Sequence, residues 1–253
     1  MPKNKYSLGI IPARFGSTRF PGKPLADIYG KPMIQRVYEQ ALKSDLDEVV
    51  VATDDERIFQ HILSTKGRVV MTSAFHKTGT DRCAEVAALP EFVEFEMVVN
   101  IQGDEPFIQP EQINQVVGVL KENDRFQIAT LVKKIKNSEQ LFNPNSVKVV
   151  FGREGRALYF SRTPIPHLKD VPRGDWLAVR DFYHHVGIYG FQKNTLLELT
   201  KLPPSNLEQA ESLEQLRWME NGFEIGLQVT DYESFGIDVP EDVQNIPPFL
   251  IAK

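Results

Sequence analysis

Apolar residues fall in short runs separated by amphipathic stretches. The runs at Leu8–Ile11, Glu48–Ala52, Val69–Met71 and Met97–Ile101 are rich in β-branched residues and short enough to be strands. Between them, Met33–Leu42 and Arg57–Leu63 repeat apolar positions at helical spacing, entered through Pro32 and through Thr53-Asp54-Asp55. Strands alternating with helices read as βαβ units and a mainly parallel sheet. The predicted fold class is therefore α/β, a single Rossmann-like domain over residues 1–253. Such sheets bind ligands beyond the carboxyl ends of their strands, so the loops after each run are where chemistry is expected.

The pattern changes at Ser146. Ser146–Phe151 and Arg156–Phe160 flank Gly152-Arg153-Glu154-Gly155, the arrangement of a β-hairpin with a glycine-bearing turn. A proline-rich loop (Thr163-Pro164-Ile165-Pro166), polar Asp170–Asp181 and a further strand at His185–Phe191 follow. Residues 146–191 read as an antiparallel insertion on the main sheet, suited to a dimer contact. A helix over Leu207–Met219, a strand at Ile225–Val229 and a short helix from Pro240 complete the reading.

Composition narrows the classes of function. The chain of 253 residues is 42% hydrophobic and 25% charged, as expected of an ordinary globular protein. No apolar run approaches the roughly 18 residues that span a bilayer, and the patch within Met1–Phe15 is too short for a secretory signal. A single cysteine, Cys83, cannot form an internal disulfide, which points to the cytoplasm. The formal net charge of −5 argues against general affinity for nucleic acid. An acidic protein that handles phosphates must gather its cations locally.

The first loop does so. Ile11-Pro12-Ala13-Arg14-Phe15-Gly16-Ser17-Thr18-Arg19-Phe20-Pro21-Gly22-Lys23-Pro24 follows the first strand and combines three cations with two glycines. Glycine lets the backbone approach a phosphate, and Arg and Lys neutralise it. It is not a Walker A loop: five residues separate Gly16 from Gly22, and Pro24 replaces the metal-binding Ser or Thr. No G-x-G-x-x-G follows the strand either, which disfavours an NAD-dependent oxidoreductase. The bland alternative is a solvated surface loop.

These segments resemble the CMP-3-deoxy-D-manno-octulosonate synthetases, a family of sugar nucleotidyltransferases. The resemblance rests on Ile11-Pro12-Ala13-Arg14, Gly22-Lys23-Pro24-Leu25, Val51-Ala52-Thr53-Asp54 and His76-Lys77-Thr78-Gly79-Thr80-Asp81-Arg82. It continues through Asn100-Ile101-Gln102-Gly103-Asp104-Glu105-Pro106, Phe142-Asn143-Pro144-Asn145, Tyr159-Phe160-Ser161-Arg162 and His185-Val186-Gly187-Ile188-Tyr189-Gly190. Leu213-Glu214-Gln215-Leu216-Arg217 and Gly236-Ile237-Asp238-Val239-Pro240-Glu241-Asp242 complete it, in the family's order over nearly the whole chain.

The resemblance implies a magnesium-dependent transfer of CMP from CTP to 3-deoxy-D-manno-octulosonate, in bacterial lipopolysaccharide biosynthesis. It also implies Asp104 and Asp238 as the metal ligands, Lys23 as a third catalytic residue, and Arg14 and Lys23 on the CTP phosphates. Magnesium needs only one or two protein carboxylates when phosphate and water fill its remaining positions. Asp104 also reads as a turn residue before Pro106, and Asp238 as a cap for the helix at Pro240. Thr80, Asp81 and Arg82 are implied on the cytidine side, with main-chain groups near Ala13 and Gly79 selecting the base. Thr80 and Asp81 are equally good helix-capping types, and Thr53, Asp54 and Asp55 read as caps of the next helix.

Around the sugar acid the resemblance implies Gln102, Arg162, His185, Tyr189, Glu214 and Gln215, with Arg19 reaching phosphate or sugar. Arginine suits a carboxylate; Glu, Gln, Tyr and His suit hydroxyls. Arg162 also reads as a partner for a local acid, and Tyr189 as core. His184 and His185 are poor joint metal ligands, because adjacent strand residues face opposite ways. A CMP-sialic acid synthetase, an amino-sugar variant and a non-catalytic nucleotide-binding protein are the competing readings. The expected assembly is a homodimer through residues 146–191.

Overall fold

The computed structural model describes residues 6–16, 19–233 and 235–251. Ser17 and Thr18 of the cation-rich loop, and Met1–Lys5 of the N-terminal patch, lie outside the described residues.

The apolar run around Leu8 forms β1 (Tyr6–Ala13), buried along most of its length. Two-residue strands β2 (Asp27–Ile28) and β3 (Lys31–Pro32) pair antiparallel before α1 (Met33–Ala41). Helix α1 buries Met33, Ile34, Val37, Tyr38 and Ala41, a stripe at helical spacing. Then come β4 (Glu48–Thr53), α2 (Glu56–Ser64), β5 (Val69–Met71), α3 (Gly79–Ala87), β6 (Phe95–Asn100), α4 (Pro110–Glu122) and β7 (Ile128–Lys134). Asp55 caps α2 by accepting from the Arg57 backbone N–H at 3.0 Å, as the sequence suggests.

After α5 (Ser138–Phe142), β8 (Lys148–Phe151) and β9 (Ala157–Ser161) pair antiparallel as a hairpin. The chain continues through α6 (Trp176–Val179), β10 (Tyr183–Gln192), α7 (Lys193–Leu199), α8 (Asn206–Glu211) and α9 (Glu214–Glu220). It closes with β11 (Ile225–Val229), α10 (Pro240–Gln244) and α11 (Pro248–Ile251).

The main sheet has the order β11-β7-β10-β6-β1-β4-β5, with the β8–β9 hairpin attached to β10. Neighbours β1–β4, β1–β6, β4–β5 and β7–β11 are parallel; β10 alone on this path runs against its neighbours β6 and β7. The fold is the mainly parallel α/β type read from the sequence. Strand β10 has a larger part than a strand of an appended hairpin would, since it sits between β6 and β7 in the middle of the sheet. Its buried residues Val186, Ile188 and Phe191 explain why: they complete the core on both sheet faces.

One face of the sheet packs on α1, α2 and α4, the other on α3, α7 and α9, and alternate residues of β6 serve the two sides. The helix expected over Leu207–Met219 is divided into α8 and α9 at Ser212, whose φ of 52° takes the chain through the left-handed region. The Ser212 carbonyl then accepts from Arg162 Nη2 at 3.2 Å, a bond that fixes the break. Among the described residues, no helix is long and apolar enough to cross a membrane.

Candidate active site

A cleft of about 250 Å³ opens at the carboxyl ends of β1 and β6, beside the N-terminus of α3. Its walls approach closely because two positions lack a side chain. A Cβ on Gly103 would lie 2.8 Å from the Pro12 carbonyl oxygen, and one on Gly79 would lie 3.1 Å from Pro12 Cγ. The loops after β1 and β6 and the start of α3 thus meet around Pro12. Helix α3 begins with a capping box: Thr78 Oγ1 accepts from the Asp81 N–H at 3.0 Å, and Asp81 accepts from the Thr78 N–H at 3.2 Å.

Lys23 is the hub of the cleft. Its ammonium donates to Asp104 Oδ2 at 2.7 Å, to the Ile237 carbonyl at 3.0 Å and to Asp238 Oδ1 at 3.5 Å. Gly22, with φ 73°, makes the turn that aims Lys23 inward. Arg19 lies 3.7 Å from Asp238, while Arg14 is exposed on the rim. The capping alternative for Asp238 is taken up elsewhere: Asp242 accepts from the backbone N–H groups of Asp238 and Val239 at 2.7 and 3.0 Å. The Asp238 carboxylate is left to face the cations.

Of the residues implied for the nucleotide, Ala13, Arg14, Lys23, Gly79 and Arg82 line the cleft. Arg82 is buried and held there by Asp54 at 2.7 Å and by Thr72. Thr80 turns away from the helix cap and donates to Glu214 Oε2 at 2.7 Å.

Of the residues implied for the sugar acid, His185 and Tyr189 stand on β10 and Glu214 and Gln215 on α9. Arg19 stays at the cleft rim, and Arg162 follows β9. Gln102 lines the cleft and approaches Gly187 of β10, where a Cβ would be 4.0 Å from Gln102 Cγ. The His185 and Tyr189 rings lie 5.0 Å apart, and the Trp218 ring meets Tyr189 edge-on at 5.0 Å. Tyr189 is buried, and among the described residues its hydroxyl has no hydrogen-bond partner. Glu214 is held by Thr80 and by Arg217 at 3.0 Å, and burial raises its pKa above the usual carboxylate value. Gln215 is buried one position along α9. Arg162 donates to three carbonyls, those of Glu211 at 2.6 Å, Pro144 at 3.1 Å and Ser212 at 3.2 Å. It braces the turn that leads into Glu214 and Gln215.

Comparison with known proteins gives this geometry a family. The family model described as cytidylyltransferase matches residues 8–226. The 3-deoxy-manno-octulosonate cytidylyltransferase of Parabacteroides distasonis is 52% identical over 248 residues, covering 96% of this chain and 97% of that one. The chain belongs to the 3-deoxy-manno-octulosonate cytidylyltransferase family. The relative of the same name from Bacteroides thetaiotaomicron is also 52% identical, over 96% of this chain and 97% of its own. A solved structure of CMP:2-keto-3-deoxy-manno-octonic acid synthetase, complexed with CTP, superposes with a TM-score of 0.89 at 39% identity. It covers 98% of this chain and 99% of that one. A 4-diphosphocytidyl-2C-methyl-D-erythritol synthase from Anaerococcus prevotii shares the fold alone, with a TM-score of 0.62 at 16% identity over 98% of this chain and 99% of that one.

In this family member the cleft also takes in His76, Lys77 and Thr78, which the sequence reading matched to the family without assigning a role. The signal was a lysine directly ahead of a helix cap. Glu105, next to Asp104, is a fourth residue matched to the family without a role. Burial and then the Asp104 charge push its pKa up to about 7.

Proposed function

We propose that the chain transfers CMP from CTP to the anomeric hydroxyl of 3-deoxy-D-manno-octulosonate, releasing pyrophosphate. The observation that carries this is the convergence of Asp104 and Asp238 on the Lys23 ammonium, at 2.7 and 3.5 Å, inside a cation-lined cleft. The relatives' names and the CTP complex of the similar structure support the choice of nucleotide and sugar.

Asp104 and Asp238 would hold magnesium. Their hard carboxylate oxygens suit it, and both already face a positive charge, the Lys23 ammonium. When bound, magnesium supplies charge neutralisation at the phosphate oxygens of CTP. Arg14 and Lys23 hold the triphosphate, and main-chain groups at Ala13 and Gly79 read the cytosine. Thr80 and Arg82 set the wall behind it. Gln102, His185, Tyr189, Glu214 and Gln215 orient the sugar acid, Arg162 fixes the approach of α9, and Arg19 reaches across from the rim.

The anomeric oxygen forms a bond to the α-phosphorus as the bond to the pyrophosphate oxygen breaks, and the hydroxyl proton is released to solvent. No covalent enzyme intermediate is required. Burial raises the Cys83 pKa well above the usual thiol value, so a thiolate nucleophile is unavailable. Catalysis is positioning and electrostatic stabilisation by groups already in place.

We further place the reaction in the cytoplasm, in lipopolysaccharide biosynthesis, with the chain acting as a homodimer. Leu158 and Val179, both exposed within residues 146–191, support a contact there. Light scattering on a size-exclusion column tests the dimer.

A coupled pyrophosphate assay over all four nucleoside triphosphates and several sugar acids tests the activity. Release with CTP and 3-deoxy-D-manno-octulosonate, abolished by EDTA and restored by magnesium, is expected. Turnover with a sialic acid alone, or CTP binding without turnover, would overturn the assignment.

A further inference from the structure

Strand β10 pairs with β7 in regular antiparallel register except at one place, where the pairing shifts between Val186 and Tyr189. Gly187 and Ile188 are two extra residues on β10 there, and extra residues in one strand re-aim the side chains around them. Thr130 of β7 sits against this irregularity and is completely buried. Its Oγ1 lies 2.6 Å from the Ile188 carbonyl oxygen, 3.2 Å from that of Val186 and 2.9 Å from His185 Nε2.

Proton counting decides the direction of these bonds. A hydroxyl carries one hydrogen, and a carbonyl can only accept. The Thr130 hydrogen therefore goes to the nearer carbonyl, that of Ile188. The oxygen lone pair is left for His185, whose Nε2 must supply the hydrogen. An imidazole with its hydrogen on Nε2 carries a lone pair on Nδ1. Among the described residues, Nδ1 of His185 has no hydrogen-bond partner, and His185 is only partly buried. The ring cannot swing to another pose cheaply, because Phe160 meets it edge-on at 5.5 Å and Tyr189 packs at 5.0 Å.

We infer that Thr130 is a positioning residue for the sugar acid: it locks His185 with hydrogen on Nε2, so that Nδ1 accepts a hydrogen bond from a sugar hydroxyl. The inference rests on His185 belonging to the sugar pocket. The low basicity of His185 agrees with it, since burial and then the neighbouring His184 bring its pKa down to about 3. Lysine or arginine at a sugar hydroxyl could only donate; this ring offers an acceptor.

The test separates the lock from the function. Long-range proton–nitrogen NMR on the full chain labelled with ¹⁵N-histidine reads which ring nitrogen carries hydrogen, with His185→Asn assigning the signal among the five histidines. His185 in the unaltered protein is expected to be protonated on Nε2 and not on Nδ1. Thr130→Val, nearly isosteric but without the hydroxyl, is expected to lose this preference and raise KM for the sugar acid about tenfold. Its KM for CTP should change less than about twofold, and Thr130→Ser should restore both readouts. Hydrogen on Nδ1 in the unaltered protein overturns the inference, and so does a Thr130→Val variant that keeps the tautomer or moves both KM values alike. Because the NMR measurement needs no substrate, it stands even if the sugar assay fails, and that failure would then count against the proposed substrate alone.

Discussion

The backbone N–H of Ile237 donates to the carbonyl oxygen of Asp104 at 2.9 Å. This one bond ties the loop after β6 to the segment ahead of α10, and so sets Asp104 beside Asp238. Both carboxylates then face Lys23, a residue 81 positions from one and 215 from the other. The cleft is built from segments distant in the chain, and its chemistry depends on how closely they approach.

Removing a carboxylate tests the centre. Asp104→Asn is expected to lower kcat by about a hundredfold or more, the usual cost of a lost preorganised charge. Circular dichroism and the thermal midpoint should stay close to those of the unaltered protein. Pyrophosphate release at saturating CTP and sugar acid checks this, and near-normal turnover would remove Asp104 from the mechanism.

Gly103→Ala tests the close approach. The new methyl would meet the Pro12 carbonyl oxygen at 2.8 Å, backbone that cannot swing aside. Overpacking of this kind costs about 1–3 kcal/mol. Urea unfolding should show that loss, and KM for CTP should rise, because the loops after β1 and β6 are pushed apart.

His185 predicts a pH dependence of stability. Its folded pKa, about 3, lies below the ordinary histidine value of 6.5. In that interval the unfolded chain binds more protons than the folded one, so stability falls as pH drops from about 6.5 towards 3. The burial of His184 depresses its pKa too and adds in the same direction. His185→Gln should flatten the acid side of the profile of urea midpoint against pH. An unchanged slope would show that the ring is not held neutral by burial.

Cys83 should be silent in the folded protein. Fully buried, with its pKa raised by that burial, it offers little thiolate. Iodoacetamide is expected to leave it unmodified under native conditions and to alkylate it in urea, as read by intact mass.

Ser212 carries a backbone cost that glycine would not. Its φ of 52° is unfavourable for a side chain by about 1 kcal/mol. Ser212→Gly should raise stability in urea by a comparable amount while leaving the bond from Arg162 to the residue-212 carbonyl intact.

Much of the fold was legible because periodicity is a local property. The runs at Leu8, Glu48, Val69 and Met97 became β1, β4, β5 and β6, and Gly152–Gly155 turned the β8–β9 hairpin as read. The break at Ser212 was hidden, since nothing in the apolar spacing of Leu207–Met219 reports a carbonyl bonded to distant Arg162. The central place of β10 was hidden for the same reason. Alternation marks a strand, but the neighbours that it joins lie elsewhere in the chain.

The sequence alone determined the family motifs, the cation-rich loop, the pair of aspartates and a sheet whose strand ends had to carry the chemistry. Tertiary structure decided which of several sensible local roles each residue took. Asp242 capped α10 and left Asp238 for Lys23; Thr78 capped α3 and left Thr80 for Glu214. Each such choice is a competition among hydrogen-bond partners, and distance settles it, a quantity that only the folded chain possesses.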